Sequence, residues 1–554
     1  MRALCVFATL CAACSSSDSG AFDQGIDVGG FAPPTAVISA TPDLVGFATR
    51  LDATGSHGYT SSLGYAWHFL QVPPASTVTD ASLSSATGPA PSFDPDLGGD
   101  YKVQLTVTES GIPNGGVNGV ATATVTVPTL PLFYYQGNFT ASTDTFAVGV
   151  VRSDGTGARA IDCAVSAPVP DAGSAGYLLN VLEIPGFFTM RVFDAPTGGG
   201  ASLAFEQVVP AGGASDFRLW LADDQSDCNA RPPVRLDDAN GKEHVEPRFS
   251  ADGSRLVYID RGAPDRLVTV ARDGTARHVV RTSAKIPGAA PLWLDATHVA
   301  WAEDTSANST PHLAIYSAAD ADAAGDGAGR ATLLDCPNAA TDATVLQVIN
   351  QFELAGTTLV IAGGVRSKFA SPAGSINLYK MAANSCSTTT ATRLASQLPG
   401  GDAWDFTLAP DGKTIAMSST AGQSGPNPQH DILLLTVDGT LTPTVYAGSD
   451  PVLDDVGPRW IAGGRQLTWT QGAPPGDGGT ATGGGIMIGN LNGTHVRSLV
   501  PQQLSAQGPV LVAGGSNRGL SCSGPGRLAE GAGTAAILMI GAVLALRLLR
   551  RKPR

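Results

Sequence analysis

The chain has 554 residues and a net charge of −14 at pH 7; only 15% of its residues are charged, against 67 glycines and 38 prolines. Arg547, Arg550, Arg551, Lys552 and Arg554 cluster at the very end, so the remainder carries −19 and repels phosphate backbones, which sets nucleic-acid binding aside. The length suffices for more than one cored domain, and low charge with frequent Gly and Pro fits a loop-rich secreted β protein better than a cytosolic enzyme.

At the N-terminus, Met1-Arg2 precedes ALCVFATLCAAC, which ends at Cys14. One positive charge followed by about eleven small or apolar residues makes a signal-peptide core too short to span a bilayer. The string CAACSSSDSG, with Ala12 and Ala13 ahead of Cys14, resembles a bacterial lipoprotein signal. The resemblance implies a signal peptide over 1–14 and lipid on Cys14; simple cleavage nearby is the alternative. Residues 15–32 read as a flexible Gly/Ser/Asp linker.

Strand-like runs follow over 35–40, 47–56, 63–70, 98–110 and 120–127. Tyr101, Val103, Leu105 and Val107 alternate with polar residues, which predicts one buried and one wet face. Such runs within 33–128 predict an Ig-like β-sandwich, with Trp67 packed against the opposite sheet. The string LDATGS…YAWHF…PSFDPDLGGDYKVQLTVT resembles a PKD domain, a resemblance that implies a spacer or adhesive module. Asp94 and Asp96 read as loop-capping carboxylates, with calcium ligation as the alternative.

From 129 the style changes. FSADGSRLVYID, LWLDATHVAWAED, FELAGTTLVIAGG, LAPDGKTIAMSS and WIAGGRQLTWTQ each hold a strand, a tight turn on Gly or Asp, and a second strand. Asp/Asn-Gly-Thr recurs at 154–156, 273–275, 438–440 and 492–494, and joins the third and fourth strands of each unit. Four strands per unit at a period of about 43–60 residues predict a β-propeller over 129–515. These repeats resemble TolB-like (WD40-like) propeller repeats. Seven blades are expected, with six as the alternative. The first unit has three strands, and the missing one is expected to be supplied by PVLVAGG (Pro509–Gly515), which closes the ring and removes open sheet edges.

Four cysteines lie within the propeller: Cys163, Cys228, Cys336 and Cys386. An even count in an exported chain suggests disulfides, with three possible connectivities. The repeat register selects Cys163–Cys228 and Cys336–Cys386. Each pair joins the end of a fourth strand to the third-to-fourth loop of the next unit.

Near the C-terminus, residues 516–531 form a Gly/Ser linker containing Cys522. Residues 532–549 are an apolar stretch interrupted only by Arg547 and just long enough to cross a membrane as a helix. The tail 550–554 is basic and expected to stay cytoplasmic. Cysteine, Gly-rich spacer, apolar span and Arg cluster resemble the myxobacterial C-terminal sorting signal. That resemblance implies processing near Cys522 and anchoring there; an ordinary transmembrane anchor is the alternative.

Motifs for chemistry are scarce. Gly-x-Ser-x-Gly and His-Glu-x-x-His are absent, and the eight histidines are scattered. Asp320, Asp322 and Asp326 lack the Glu that a calcium-binding EF-hand loop needs, because Ala331 holds that place. The sequence thus implies an all-β protein exported to the outer membrane or cell surface of a Gram-negative bacterium. It is expected to bind an envelope protein or surface polysaccharide, with no catalytic residue, metal or cofactor. The rival reading is an extracytoplasmic propeller enzyme, a glycan lyase or hydrolase with funnel-lining carboxylates.

Overall fold

The computed structural model describes residues 32–60, 62–110, 118–139, 144–160, 202–211, 214–226, 230–236, 243–250, 252–261, 264–283, 289–303, 312–317, 331–335, 348–355, 358–364, 377–381, 392–394, 406–419, 430–438, 444–450, 452–472, 485–500 and 512–513. The first body has six strands: β1 (Ser39–Thr41), β2 (Thr49–Asp52), β3 (Leu63–Gln71), β4 (Ser92–Phe93), β5 (Gly99–Glu109) and β6 (Gly119–Val127). They form two antiparallel sheets, ordered β1-β2-β4 and β3-β5-β6. The alternation read in β5 is realised: Tyr101, Val103, Leu105 and Val107 are all buried, while Lys102 is exposed. They share one core with Val45, Leu51, Trp67 and Phe93 from both sheets. Trp67 satisfies its indole by donating Nε1–H to the Gly88 carbonyl at 2.9 Å, as a buried indole must. Phe93 meets Phe69 edge-on at 5.1 Å and Tyr101 at 5.1 Å. The first strand is shorter than the run 35–40 suggests; Thr35 makes only an isolated bridge to His57.

Seven further sheets follow in chain order. Blade 3 comprises Glu243–Phe249, Arg255–Arg261, Asp265–Ala271 and His278–Ser283; blade 4 comprises Ala289–Trp293, His298–Glu303, His312–Ser317 and Ala331–Asp335. Blade 5 is Val348–Ala355, Thr358–Gly364, Asn377–Met381 and Thr392–Arg393, and blade 6 is Phe406–Leu408, Thr414–Ser419, Asp431–Thr436 and Thr444–Val445. Blade 7 is Asp454–Ile461, Gln466–Gly472, Gly485–Asn490 and Arg497–Val500. Blade 2 contributes three described strands, Ser202–Ala211, Ala214–Asp223 and Val234–Arg235. In blade 1, Pro131–Phe139, Asp144–Arg152 and Arg159–Ala160 are completed by Val512–Ala513 from the far end of the chain, pairing Val512 with Tyr134 and Ala513 with Phe133. The expected return strand therefore closes the ring, and the described residues of 131–513 form seven sheets.

The turns form where residue chemistry favours them. Asp273 Oδ1 accepts from the Thr275 amide (2.9 Å) and hydroxyl (2.6 Å), and Gly274 takes the left-handed φ of 82° that most side chains avoid. Asp154 and Asn492 repeat this arrangement with Thr156 and Thr494.

A strict alternation packs one blade on the next. Phe249, Leu408 and Trp460 occupy one register on their innermost strands and join clusters with the preceding blade. The residue just before each faces the following blade, together with the residue directly across the sheet. Two tryptophans at this register also tie blades by hydrogen bonds: Trp293 Nε1 donates to the Arg248 carbonyl (3.0 Å) and Trp460 Nε1 to the Thr407 carbonyl (3.1 Å).

Candidate functional site

The ring axis is where a propeller gathers residues from every blade. Arg248, Leu292, Glu353, Thr407 and Arg459 hold one equivalent position on the innermost strands of blades 3 to 7, opposite Val257, Ala300, Val360, Ala416 and Thr468. In blades 3, 4 and 7 a register shift lies immediately ahead of this position, at Val245/Arg248, Ala289/Leu292 and Val456/Arg459; in blade 5 it falls two residues earlier, at Ile349/Gln351. Bulges of this kind re-aim side chains. The layer is closed to solvent: Arg248 is 5% exposed, Glu353 1%, Thr407 2% and Arg459 2%. Arg459 Nη1 donates to the Pro458 carbonyl at 2.5 Å. Of these five equivalent positions, two hold an arginine and one, Glu353, a carboxylate. Among the described residues, no three His, Cys, Asp or Glu side chains gather as metal ligands.

A second polar cluster sits between blades 6 and 7. Asp455 is fully buried, and its carboxylate accepts from the Asp450 amide (2.7 Å), Trp469 Nε1 (2.9 Å) and Gln471 Nε2 (3.0 Å). Its own amide donates to the His430 carbonyl at 2.8 Å. Burial, with the Asp431 carboxylate adding to it, pushes its pKa up to about 6 despite these three donors. Burial also raises Tyr446, whose hydroxyl donates to the Asn490 carbonyl at 2.6 Å.

The third feature joins the two bodies. The loop between β1 and β2 docks on blade 7: Asp43 receives both Arg465 guanidinium nitrogens at 2.8 Å, and that guanidinium lies 4.1 Å over the Phe47 ring. Gln466 Nε2 donates to the Val45 carbonyl (3.2 Å) and Asn490 Nδ2 to the Gly46 carbonyl (2.7 Å). On blade 1, Asp154 Oδ2 accepts the Gly98 amide at 2.8 Å. Arg497 of blade 7 donates to the Ser153 carbonyl of blade 1 at 2.5 Å; burial pushes its pKa down and Asp154 pulls it back up. The sandwich thus straddles the two blades that meet at the ring closure, held largely by backbone groups. Gly46 has a φ of 92°, and a Cβ there would sit 3.0 Å from Gln466 Nε2. The Arg465 hydrogen bonds hold the Asp43 carboxyl below its usual range. A double-mutant cycle on Asp43→Ala and Arg465→Ala is expected to give a coupling of about 1 kcal/mol by thermal unfolding, since the pair is bidentate but partly exposed. A coupling indistinguishable from zero rejects the pair as part of the dock.

The residues singled out in the sequence fall as follows. Cys14, Cys163, Cys228, Cys336, Cys386 and Cys522 lie outside the described residues, as do the apolar stretch 532–549 and Asp320, Asp322 and Asp326. Among the described residues no helix is long and apolar enough to cross a membrane. Arg159 of blade 1 bonds the carbonyls of Asp224 and Ser226 of blade 2. Asp96 caps its loop, accepting from the Thr77 amide (2.6 Å) and the Ser76 hydroxyl (2.6 Å). Asp94 lies 3.7 Å from His495 across the junction. His68 pairs with Asp80, and His298 with Asp295 at 2.8 Å.

The sheets define a β-propeller carrying a β-sandwich. No protein-family model matches the chain, and no curated protein matches it. Among solved structures, TolB from Acinetobacter baumannii is similar over 70% of this chain and 82% of its own, at 15% identity and a TM-score of 0.36. A puromycin-hydrolyzing peptidase of Mycobacterium tuberculosis is similar over 74% of this chain at 14% identity and a TM-score of 0.41; the match spans about half (53%) of the peptidase. An oligogalacturonate lyase solved with manganese is similar over 67% of this chain and 84% of its own, at 12% identity and a TM-score of 0.37.

Proposed function

We propose that this chain is an exported, envelope-anchored scaffold that binds another envelope protein or a surface glycan through its propeller, without catalysis. The observation that carries the reading is the division of the ring into two ends. The sandwich occupies the end where first-to-second turns and third-to-fourth turns lie, through Arg465, Asn490 and Asp154. The opposite end receives the second-to-third connections. In blades 4 to 7 these are the long intervals 304–311, 365–376, 420–430 and 473–484, whereas the first-to-second turns are only 294–297, 356–357, 409–413 and 462–465. Long intervals between the second and third strands of four successive blades suit broad, shallow recognition. The signal-like residues around Cys14 and the apolar stretch 532–549 support attachment to the envelope. The PKD-like sandwich then serves as a docked spacer.

Affinity capture tests the reading. The protein, immobilised and exposed to solubilised envelope of the producing cell, is expected to retain a specific protein or polysaccharide. Retention should be lost when 420–430 and 473–484 are replaced by short Gly-Ser links, and kept in Arg465→Ala. Empty capture together with turnover of a polysaccharide would overturn it in favour of a propeller enzyme using the axial Glu353.

A further inference from the structure

The chain enters and leaves the ring on one side. In blade 1 the innermost strand, Val512–Ala513, runs antiparallel to Pro131–Phe139, with Val512 opposite Tyr134 and Ala513 opposite Phe133. Its direction at Ala513 therefore points out of the ring at the end where Pro131 begins. Pro131 itself follows closely on β6, which ends at Val127. Both continuations of the chain, toward residue 1 and toward residue 554, thus start from the end that carries the first-to-second turns. The sandwich adds height on that same side. Its contacts with the ring come from Asp43, Val45, Gly46, Asp94 and Gly98. These lie at one pole, where Gly99 pairs with Val127 and Phe93 with Thr49. The chain comes in at the other pole: the Pro34 carbonyl lies against Gly119, the first residue of β6, and Thr35 bridges to His57. The 9 residues of β6 set the two poles about 30 Å apart.

We propose that the ring is carried with its second-to-third end turned away from the anchoring bilayer, on a stand formed by the sandwich, and that this end meets a partner lying beyond the bilayer instead of one embedded in it. This direction rests on the anchored reading above. Chain length supplies it. Residues 514–531 join Ala513 to the apolar stretch 532–549. A chain of that length reaches about 60 Å at full stretch, and a Gly-rich one averages about 25 Å. The 9-residue strand Pro131–Phe139 gives the ring wall a height of about 30 Å. To lay the second-to-third end on the bilayer, residues 514–531 must turn back along that whole wall. Residues 15–32 must then cover wall and sandwich together, about 60 Å, which is all that their number allows. With the ring the other way up neither segment is stretched. Anchoring through Cys14, Cys522 or residues 532–549 gives the same direction, because each continues the chain from the sandwich side.

The test uses the full chain, solubilised from the producing cell and returned to vesicles. A short epitope is inserted either in 318–330, between the third and fourth strands of blade 4, or in 473–484, between the second and third strands of blade 7. Each is bound by the same donor-labelled nanobody added outside the vesicles, and energy transfer to an acceptor lipid is measured. Transfer from 318–330 is expected to exceed that from 473–484 about twofold or more, since the wall of the ring separates the two sites. A photoreactive lipid, mapped by peptide analysis of the unaltered chain, serves if an insertion prevents folding. It should label the far pole of the sandwich around Tyr59, which is 66% exposed, and not 473–484. Equal transfer from both sites, or lipid label at 473–484, overturns the proposal. Capture of a protein embedded in the same bilayer as the specific partner overturns it too. Failure of the chain to float with the vesicles overturns the anchored reading and this direction with it. If the direction holds and capture is empty, the orientation stands and the binding reading of the preceding subsection falls.

Discussion

Replacing Trp460 by alanine is expected to lower the unfolding free energy by about 3–5 kcal/mol, the range for deleting a large buried aromatic side chain. Trp460 is fully buried and packs with Ala416, Ile432, Leu467 and Trp469 at the junction of blades 6 and 7. Its Nε1–H also serves the Thr407 carbonyl in the neighbouring inner strand. Two contributions are therefore lost together, and Trp460→Phe separates them. Phenylalanine keeps most of the packed surface but leaves that carbonyl without its donor, so a loss of about 1–2 kcal/mol is expected. Calorimetric unfolding of the two variants reads the difference. If Trp460→Phe costs as much as Trp460→Ala, the inter-blade hydrogen bond outweighs the packing. If Trp460→Ala costs under about 1 kcal/mol, the alternating inter-blade layer is not what holds blade 7 in place.

Acidification from pH 6.5 to about pH 4 is expected to stabilise the fold through Asp455. Its folded pKa of about 6 stands above the ordinary 3.8, so the native state binds more protons than the unfolded chain between these values. Stability therefore rises as pH falls through this window, by at most about 3 kcal/mol for a shift of this size. Asp252 and Asp295 act with the opposite sign in a lower window. Asp252 is held near 2 chiefly by the Ser250 hydroxyl, and Asp295 by the Thr297 and His298 hydrogen bonds, which outweigh its burial. Their contribution is present above about pH 4 and lost as pH drops toward 2. Stability should thus peak near pH 4 instead of near neutrality. Asp455→Asn should flatten the limb between pH 4 and 6 and leave the acid limb in place. A wild-type slope that survives in Asp455→Asn would show that another group titrates there.

Much of the architecture is legible in the sequence because its causes are local. The alternation of Tyr101, Val103, Leu105 and Val107 with polar residues is a property of one strand, and so is the buried face it produces. Asp-Gly-Thr turns announce themselves because Gly274 must adopt a positive φ and Asp273 can bond only to nearby groups. The return strand near Pro509 is legible by counting, since a unit of three strands leaves an edge to be closed. The dock between sandwich and ring is not legible in this way. Its acceptors are the carbonyls of Val45 and Gly46 and one of its donors is the amide of Gly98, groups that every residue carries. The axial layer is hidden for a different reason. Arg248, Glu353 and Arg459 look like ordinary surface charges beside a hairpin, and only the closing of the ring buries them. The burial of Asp455 is equally non-local, because His430, Asp450 and Trp469 come from separate strands and connections.

The straddling dock gains a mechanical meaning if the chain is tethered ahead of its sandwich, as proposed above. Tension entering at residue 32 reaches blade 1 along the chain through β6 and Pro131, and blade 7 through Arg465, Gln466 and Asn490. Both sides of the closing seam are thus loaded at once and in the same direction. A pull from this side does not act directly on the two-residue strand Val512–Ala513. The sandwich works as a yoke, spreading the pull over the weakest joint of the ring.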